Sequence, residues 1–277
     1  LKICTYLRKP CKQSSASDVN LMLATFMESI PGKHQRQTLW RTDEEMSPDC
    51  DLAIHWGYNP SSRALINAKA RRIPVLVADC GYYGDRRRNP SLAFNGINGV
   101  GLRPRPGSEP KADLPELAPW PSDTDELGRI LVCGQLDNDA SLLIDGISST
   151  DAWIVDVCQW LRQTLPATHV TIRPHPYTPQ YPQEPPLNEV LPFYDAVMTY
   201  SSNAGVESLI LGVPAHAVSP VSMIHRWEEK YADREEWLHR LSYAQWTHNH
   251  MTDGTAARHI MQAYDEAREA AKANDYA

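Results

Sequence analysis

A chain of 277 residues is long enough for two domains, and with a formal net charge of -7 and no apolar run near the roughly 20 residues of a membrane-spanning helix it reads as a soluble protein. Its six cysteines (Cys4, Cys11, Cys50, Cys80, Cys133, Cys158) are scattered, with no C-x-x-C pair and no Cys/His ligand spacing, which argues against structural zinc and points to a reducing, cytoplasmic setting. The charge is uneven: residues 1–125 carry +3 and residues 126–277 carry -10, and residues 60–111 hold 10 basic against 3 acidic side chains, a balance suited to a polyanionic partner.

In chain order, Leu1–Leu7 is short, apolar and followed by Arg8 and Lys9. That is the reverse of the charge order in a secretory leader, so the segment is expected to be a first strand. Further strands are predicted at Asp51–His55 and Pro74–Ala78, with helices at Asp18–Ile30 and Ser61–Arg71 capped by Asp18 and Ser61. From Gly101 to Pro121 six prolines rule out helix or central strand, and the stretch reads as an interdomain linker. The pattern then restarts, with strands at Arg129–Gly134, His169–Arg173, Ala196–Tyr200 and Ala215–Val218 and helices at Asp151–Leu165 and Asn203–Leu211. Trp227–Ala277 is expected to be helical and to pack the domains together. The alternation predicts an α/β protein of two Rossmann-like domains, residues 1–122 with the linker and residues 123–277 with the closing helices.

Three strand ends in the second half carry candidate chemistry. At Tyr200-Ser201-Ser202-Asn203-Ala204-Gly205-Val206-Glu207 a strand runs through two hydroxyls into a helix start, where amide groups and serine hydroxyls suit a phosphate and Glu207 suits ribose hydroxyls. An ordinary capped helix gives the same pattern. At Arg173-Pro174-His175-Pro176 the prolines stiffen the backbone and fix the imidazole, which can donate to a phosphate leaving group; a rigid turn with an incidental histidine is the plain alternative. At Val132-Cys133-Gly134-Gln135-Leu136-Asp137-Asn138-Asp139-Ala140-Ser141, Gly134 allows close backbone approach, and Gln135 and Ser141 can bond a base or sugar. All three loops leave the carboxyl ends of predicted parallel strands, where open α/β sheets bind ligands.

Together, G-Q-x-x-x-D-A-S, R-P-H-P and S-S-x-x-G-x-E-S-L-x-x-G-V-P resemble the nucleotide-sugar half of the capsule-polysaccharide Kdo-transferase family. The His-Pro and Ser-Ser motifs also resemble those of bacterial CMP-sialic acid transferases. The resemblance implies a GT-B-like fold, two Rossmann-like domains facing a cleft with C-terminal helices packing across, and an enzyme needing no cofactor beyond a UDP- or CMP-linked sugar as co-substrate. It implies that His175, Ser201 and Ser202 hold the nucleotide phosphate and that Gln135 lines the donor cleft, with Gly134, Arg173, Asn203 and Glu207 completing the expected donor site.

In the first half, Asp79-Cys80-Gly81-Tyr82-Tyr83-Gly84-Asp85-Arg86 looks like the acidic-x-Gly-aromatic motif of the same families, whose carboxylate would be Asp79. The sequence departs from the family at Cys80, where the capsule enzymes usually have a second acid, and in having Asp in place of their usual Glu. Leu241-Ser242-Tyr243-Ala244-Gln245-Trp246-Thr247 resembles phage-encoded relatives more than capsule enzymes. Sugar transfer needs a base for the acceptor hydroxyl and a donor-rich site for the departing phosphate, so Asp79 and His175 are the expected catalytic pair, with His55 as the rival base. His55, Tyr82, Arg86, Arg87 and Arg88 are the expected acceptor contacts, although Asp85 can equally be a surface partner of these arginines. Asp137 and Asp139 lack further ligands, so no metal is expected.

The basic stretch and the phage-like block slightly favour 5-hydroxymethylcytosine in double-stranded phage DNA as the acceptor, acted on in the host cytoplasm. A capsule or lipid-linked glycan is the alternative. A nucleotide-sugar 2-epimerase and a non-catalytic binding module are the remaining readings.

Overall fold

The computed structural model describes residues 1–7, 16–40, 49–109, 111, 113–121, 127–178 and 185–276; Arg8, Lys9, Cys11 and Pro110 fall outside them. In chain order the elements are β1 (Lys2–Leu7), α1 (Ala16–Ser29), β2 (Gln35–Trp40), β3 (Leu52–Trp56), α2 (Arg63–Arg71), β4 (Val75–Asp79) and β5 (Ser91–Phe94). Then come β6 (Arg129–Cys133), α3 (Ala140–Ile144), α4 (Thr150–Thr164), β7 (His169–Arg173), α5 (Leu187–Val190), β8 (Ala196–Thr199), α6 (Ala204–Ile210), β9 (Ala215–Ala217), α7 (Trp227–Lys230) and α8 (Arg234–Ser242). The last helices are α9 (His248–Thr252), α10 (Thr255–Ile260) and α11 (Tyr264–Lys272).

Contacts divide the chain into two units, Leu1–Pro110 with Ser242–Ala277, and Lys111–Leu241. The first holds a five-stranded sheet in the order β2-β1-β3-β4-β5, parallel except for β5. Because β1, β3 and β4 are covered on both faces, they are continuous apolar runs rather than alternating ones. α1 covers one face through Val19, Met22, Leu23, Phe26 and Met27, spaced at helical intervals and buried, while Leu21 points out.

The C-terminal segment closes this same core. Trp246, Met251, Ala256, Ala257, Ile260, Tyr264 and Ala267 join the cluster built on α1 and the first sheet. Alanines at the contact face let the helices come close, and polar pins fix them: Asn95 Nδ2 donates to the Ala267 carbonyl at 2.8 Å and Tyr264 Oη to the Asp51 carbonyl at 3.0 Å. Thus the contacts group residues 242–277 with the N-terminal residues, whereas the sequence places them with residues 123–241. An amphipathic helix announces that it covers a sheet but not which one. Because Ala267 is fully buried, Ala267→Leu is expected to cost about 1–3 kcal/mol by overpacking, read as a lowered urea midpoint.

The second unit holds a four-stranded parallel sheet, β7-β6-β8-β9. Trp153, Ile154, Val157, Cys158 and Leu161 of α4 pack against Ile130 and Val132 of β6. Buried Arg234 stacks on Trp120, 3.7 Å from the ring centroid, and donates to the Ala118 and Leu209 carbonyls, which ties the proline-rich segment down.

Several local expectations change. Ser62, not Ser61, caps α2, accepting from the Leu65 N–H at 3.3 Å, while the Ser61 N–H belongs to the preceding Asn59 turn. Asp18 sits in the first turn of α1 rather than before it. β2, with the polar sequence QRQTLW, and antiparallel β5 are additions.

Candidate functional site

Register builds the candidate donor site. Cys133 pairs with Arg173 on one side and Thr199 on the other, so β6, β7 and β8 end level and their loops leave the same edge side by side. The Gly134 N–H donates to the Arg173 carbonyl at 2.8 Å, carrying the pairing one residue past the strand. Burial above all pushes the pKa of the Cys133 thiol up to about 12, so the strand end beneath the loops is part of the interior.

Between the loops lies a polar network. Gln135 is buried; its Nε2 donates to Ser141 Oγ at 2.9 Å, and its Oε1 accepts from the Ser201 N–H at 3.2 Å and from Ser201 Oγ at 3.3 Å. Ser141 Oγ donates to Asp139 Oδ1 at 2.7 Å, and Asp139 also caps α3 through the Ser141 N–H. The carboxylate can only accept, so the Ser141 proton goes to Asp139 and the Ser201 proton goes to Ser141 or Gln135. Gln135 is therefore the hub joining the β6 and β8 loops, and the Ser201 hydroxyl points its proton inward. Gln135→Leu is expected to cost about 1–3 kcal/mol by leaving the serines unsatisfied, measured by urea denaturation.

Ser202 differs. Its Oγ accepts from the Ala204 N–H at 3.3 Å, capping α6, which leaves its own hydroxyl proton to be directed elsewhere. Asn203 precedes the helix without a side-chain capping bond. Gly205 lets α6 sit close to its neighbours, since a Cβ there would force the buried Ile224 side chain to shift and would crowd the Thr199 methyl. Below the turn, Tyr200 Oη and Ser219 Oγ both donate to Asp145 Oδ2, at 2.7 and 2.6 Å, tying the β8 and β9 loops to the end of α3.

His175 is half-buried on the β7 loop, and its Nδ1 accepts from the Tyr177 N–H at 3.2 Å. A neutral imidazole accepting at Nδ1 carries its proton on Nε2, which makes Nε2 the donor. Arg173 donates to the Pro185 carbonyl.

In the first unit Asp79 ends β4, half-buried, with Oδ1 accepting from the Cys80 N–H at 2.7 Å. The acceptor-side expectations change for His55 and Tyr82. His55 is 1% exposed, packed by Tyr6, with Nδ1 bonded to the Gly57 carbonyl at 2.7 Å. Tyr82 is 3% exposed; its Oη donates to Asn98 Oδ1 at 3.1 Å, and burial above all raises its pKa. Both are interior because a strand-end histidine or loop tyrosine serves a core as readily as a site. Arg86, Arg87 and Arg88 are exposed; Arg86 Nε donates to the Gly81 carbonyl and Arg88 lies 4.0 Å from Asp85.

Part of the basic stretch is also spent internally. Arg103 donates to the Leu92, Asn98 and Gly101 carbonyls, Lys69 lies over the Tyr58 and Tyr276 rings, and burial lowers the Lys111 ammonium to about 8. Among the described residues, no three His, Cys, Asp or Glu side chains group as metal ligands, and no helix is long and apolar enough to cross a membrane.

Two sheets with loops gathered at strand ends match a known architecture. KpsC from Thermosulfurimonas dismutans, a β-Kdo 2,4-transferase, superposes with a TM-score of 0.54 over 86% of this chain and 89% of its own, at 17% identity. In fold, this chain is similar to a Kdo transferase. The KpsC β-Kdo 2,7-transferase of the same organism aligns over 79% of each chain at 14% identity, with a TM-score of 0.46, too low to support an inference. No family model and no curated protein matches the sequence.

Proposed function

We propose that the protein is a glycosyltransferase that moves a Kdo-type sugar from a nucleotide-linked donor to a hydroxyl of a glycan acceptor, without a metal ion. The observation that carries this reading is the level ending of β6, β7 and β8, from whose shared edge the loops bearing Gly134, His175 and Ser202 leave. The shared fold with a Kdo transferase supports the choice of sugar and of a glycan.

In the proposed step the acceptor oxygen forms a bond to the anomeric carbon while the bond from that carbon to the phosphate oxygen breaks, and the nucleotide leaves with the electron pair. Asp79 takes the acceptor proton, and His175 Nε2 and Ser202 Oγ donate hydrogen bonds to the departing phosphate. Gln135 and Ser201 hold the loops in place.

Duplex DNA, slightly favoured from the sequence, gives way to a glycan. The shared fold is that of a Kdo transferase, and Arg103 and Lys69 of the basic stretch are engaged by backbone carbonyls and tyrosine rings of the protein itself. The test is to incubate the protein with CMP- and UDP-sugars, including CMP-Kdo, and with either acidic oligosaccharides or hydroxymethylcytosine DNA, followed by mass analysis. A Kdo increment on an oligosaccharide is the expected result. An increment on the nucleoside would restore DNA as acceptor, an epimerised free sugar would indicate a 2-epimerase, and no turnover with any pair would leave only a binding role.

A further inference from the structure

The loop that follows Asp79 is built on a side chain 163 residues from Tyr82 in sequence, and we infer that Gln245 is a positioning residue for the transfer reaction; this rests on the proposed function and on the role it gives Asp79. Gln245 is 2% exposed. Its Oε1 accepts from the backbone N–H of Tyr82 and, at 3.1 Å, of Tyr83, while its Nε2 donates to the Tyr83 carbonyl at 3.0 Å. One amide thus satisfies three backbone groups of a loop that has no ladder of its own, which is what a buried irregular segment requires.

The backbone around Gln245 is fixed in turn. Ser91 and Gln245 form an antiparallel bridge, the Leu92 N–H donates to the Ala244 carbonyl at 3.0 Å, and the Trp246 N–H donates to the Pro90 carbonyl at 2.9 Å. Residues 244–246 therefore extend the first sheet past β5, and the sheet, not a flexible tail, holds the amide. Gly81 completes the fit, because a Cβ there would collide with the Asn89 carbonyl and the Gln245 amide. The Gly81 N–H donates to the Arg86 carbonyl at 2.7 Å and Arg86 Nε returns to the Gly81 carbonyl at 2.8 Å, closing the loop on itself. Asp79 is joined to this assembly through the Cys80 N–H and through Ser91, whose hydroxyl bonds the Cys80 carbonyl at 3.3 Å. The three bonds of the Gln245 amide all end on the loop that follows Asp79, so releasing them displaces the base.

The test uses Gln245→Met, which keeps the volume and removes all three bonds, Gln245→Glu, which keeps acceptance but sets a carboxylate oxygen against the Tyr83 carbonyl, and Gly81→Ala, which pushes on the amide from the loop side. Transfer of Kdo to oligosaccharide gives kcat and donor KM, and hydrogen exchange reports on residues 80–90. For Gln245→Met the expected result is a ~10–100-fold lower kcat, as for a reacting group misplaced by about an ångström, with donor KM within about two-fold of wild type and faster loop exchange. Gln245→Glu and Gly81→Ala should show the same split with smaller losses. Unchanged exchange in Gln245→Met, or a kcat within about two-fold of wild type despite faster exchange, overturns the inference. Absence of transfer by the wild-type protein overturns the proposed function instead, and the two failures are distinguishable because the exchange comparison needs no substrate.

Discussion

Replacing Asp79 with asparagine is expected to lower kcat for Kdo transfer by ~10²–10⁴-fold while leaving the donor KM close to wild type. The amide keeps the size of the carboxylate and an oxygen able to accept from the Cys80 N–H, so the loop geometry that this bond helps to set is preserved. What it loses is the capacity to take a proton from the acceptor hydroxyl. The substitution therefore separates basicity from shape. A kcat within a few-fold of wild type would move the base elsewhere, and His55, interior and bonded to the Gly57 carbonyl, is poorly placed to inherit the role. Asp79→Glu, which restores the longer acid usual in the capsule enzymes, should retain much more activity than the asparagine variant.

How far this site could be read from the sequence depends on the range of the interactions that form it. The strand β7 was legible to the residue, and the neighbouring strand ends to within one, because a short apolar run followed by Gly, Pro or Ser is a local signal. β2 was not, since QRQTLW carries no apolar alternation and is a strand because β1 offers it an edge to pair with. The motif residues divided according to what lies opposite them. Ser202 accepts from the Ala204 N–H and His175 from the Tyr177 N–H, both local contacts, while the Ser201 proton was drawn into a network with Gln135 and Ser141, residues 60 or more positions away. Gln245 was visible only as one letter in a block that resembles phage-encoded relatives more than capsule enzymes. Its role rests on a contact spanning 163 residues, for which one sequence holds no periodicity or spacing rule. The same long range explains residues 242–277, whose alanines announce a close-packed helix without naming the sheet beneath it.

His175→Ala is expected to lower kcat/KM for the nucleotide sugar by ~10²–10³-fold, the usual loss when one oriented donor to a developing anion is removed. The imidazole is well oriented because the backbone sets both its direction and its tautomer: Pro174 and Pro176 restrict the chain on either side, and the Tyr177 N–H occupies Nδ1, so the proton stands on Nε2. A donor held in this way gains most when charge collects on the phosphate oxygen as the bond to the anomeric carbon breaks. The loss should then fall mainly on kcat, with a lesser rise in donor KM, and Ser202→Ala should share the pattern at smaller amplitude. Ser201→Ala should instead lower the urea midpoint, since its hydroxyl serves the Gln135 network. If Ser201→Ala reduced kcat as strongly as Ser202→Ala at unchanged stability, the inward direction assigned to its proton would be wrong, and both hydroxyls would have to turn toward the phosphate when donor binds.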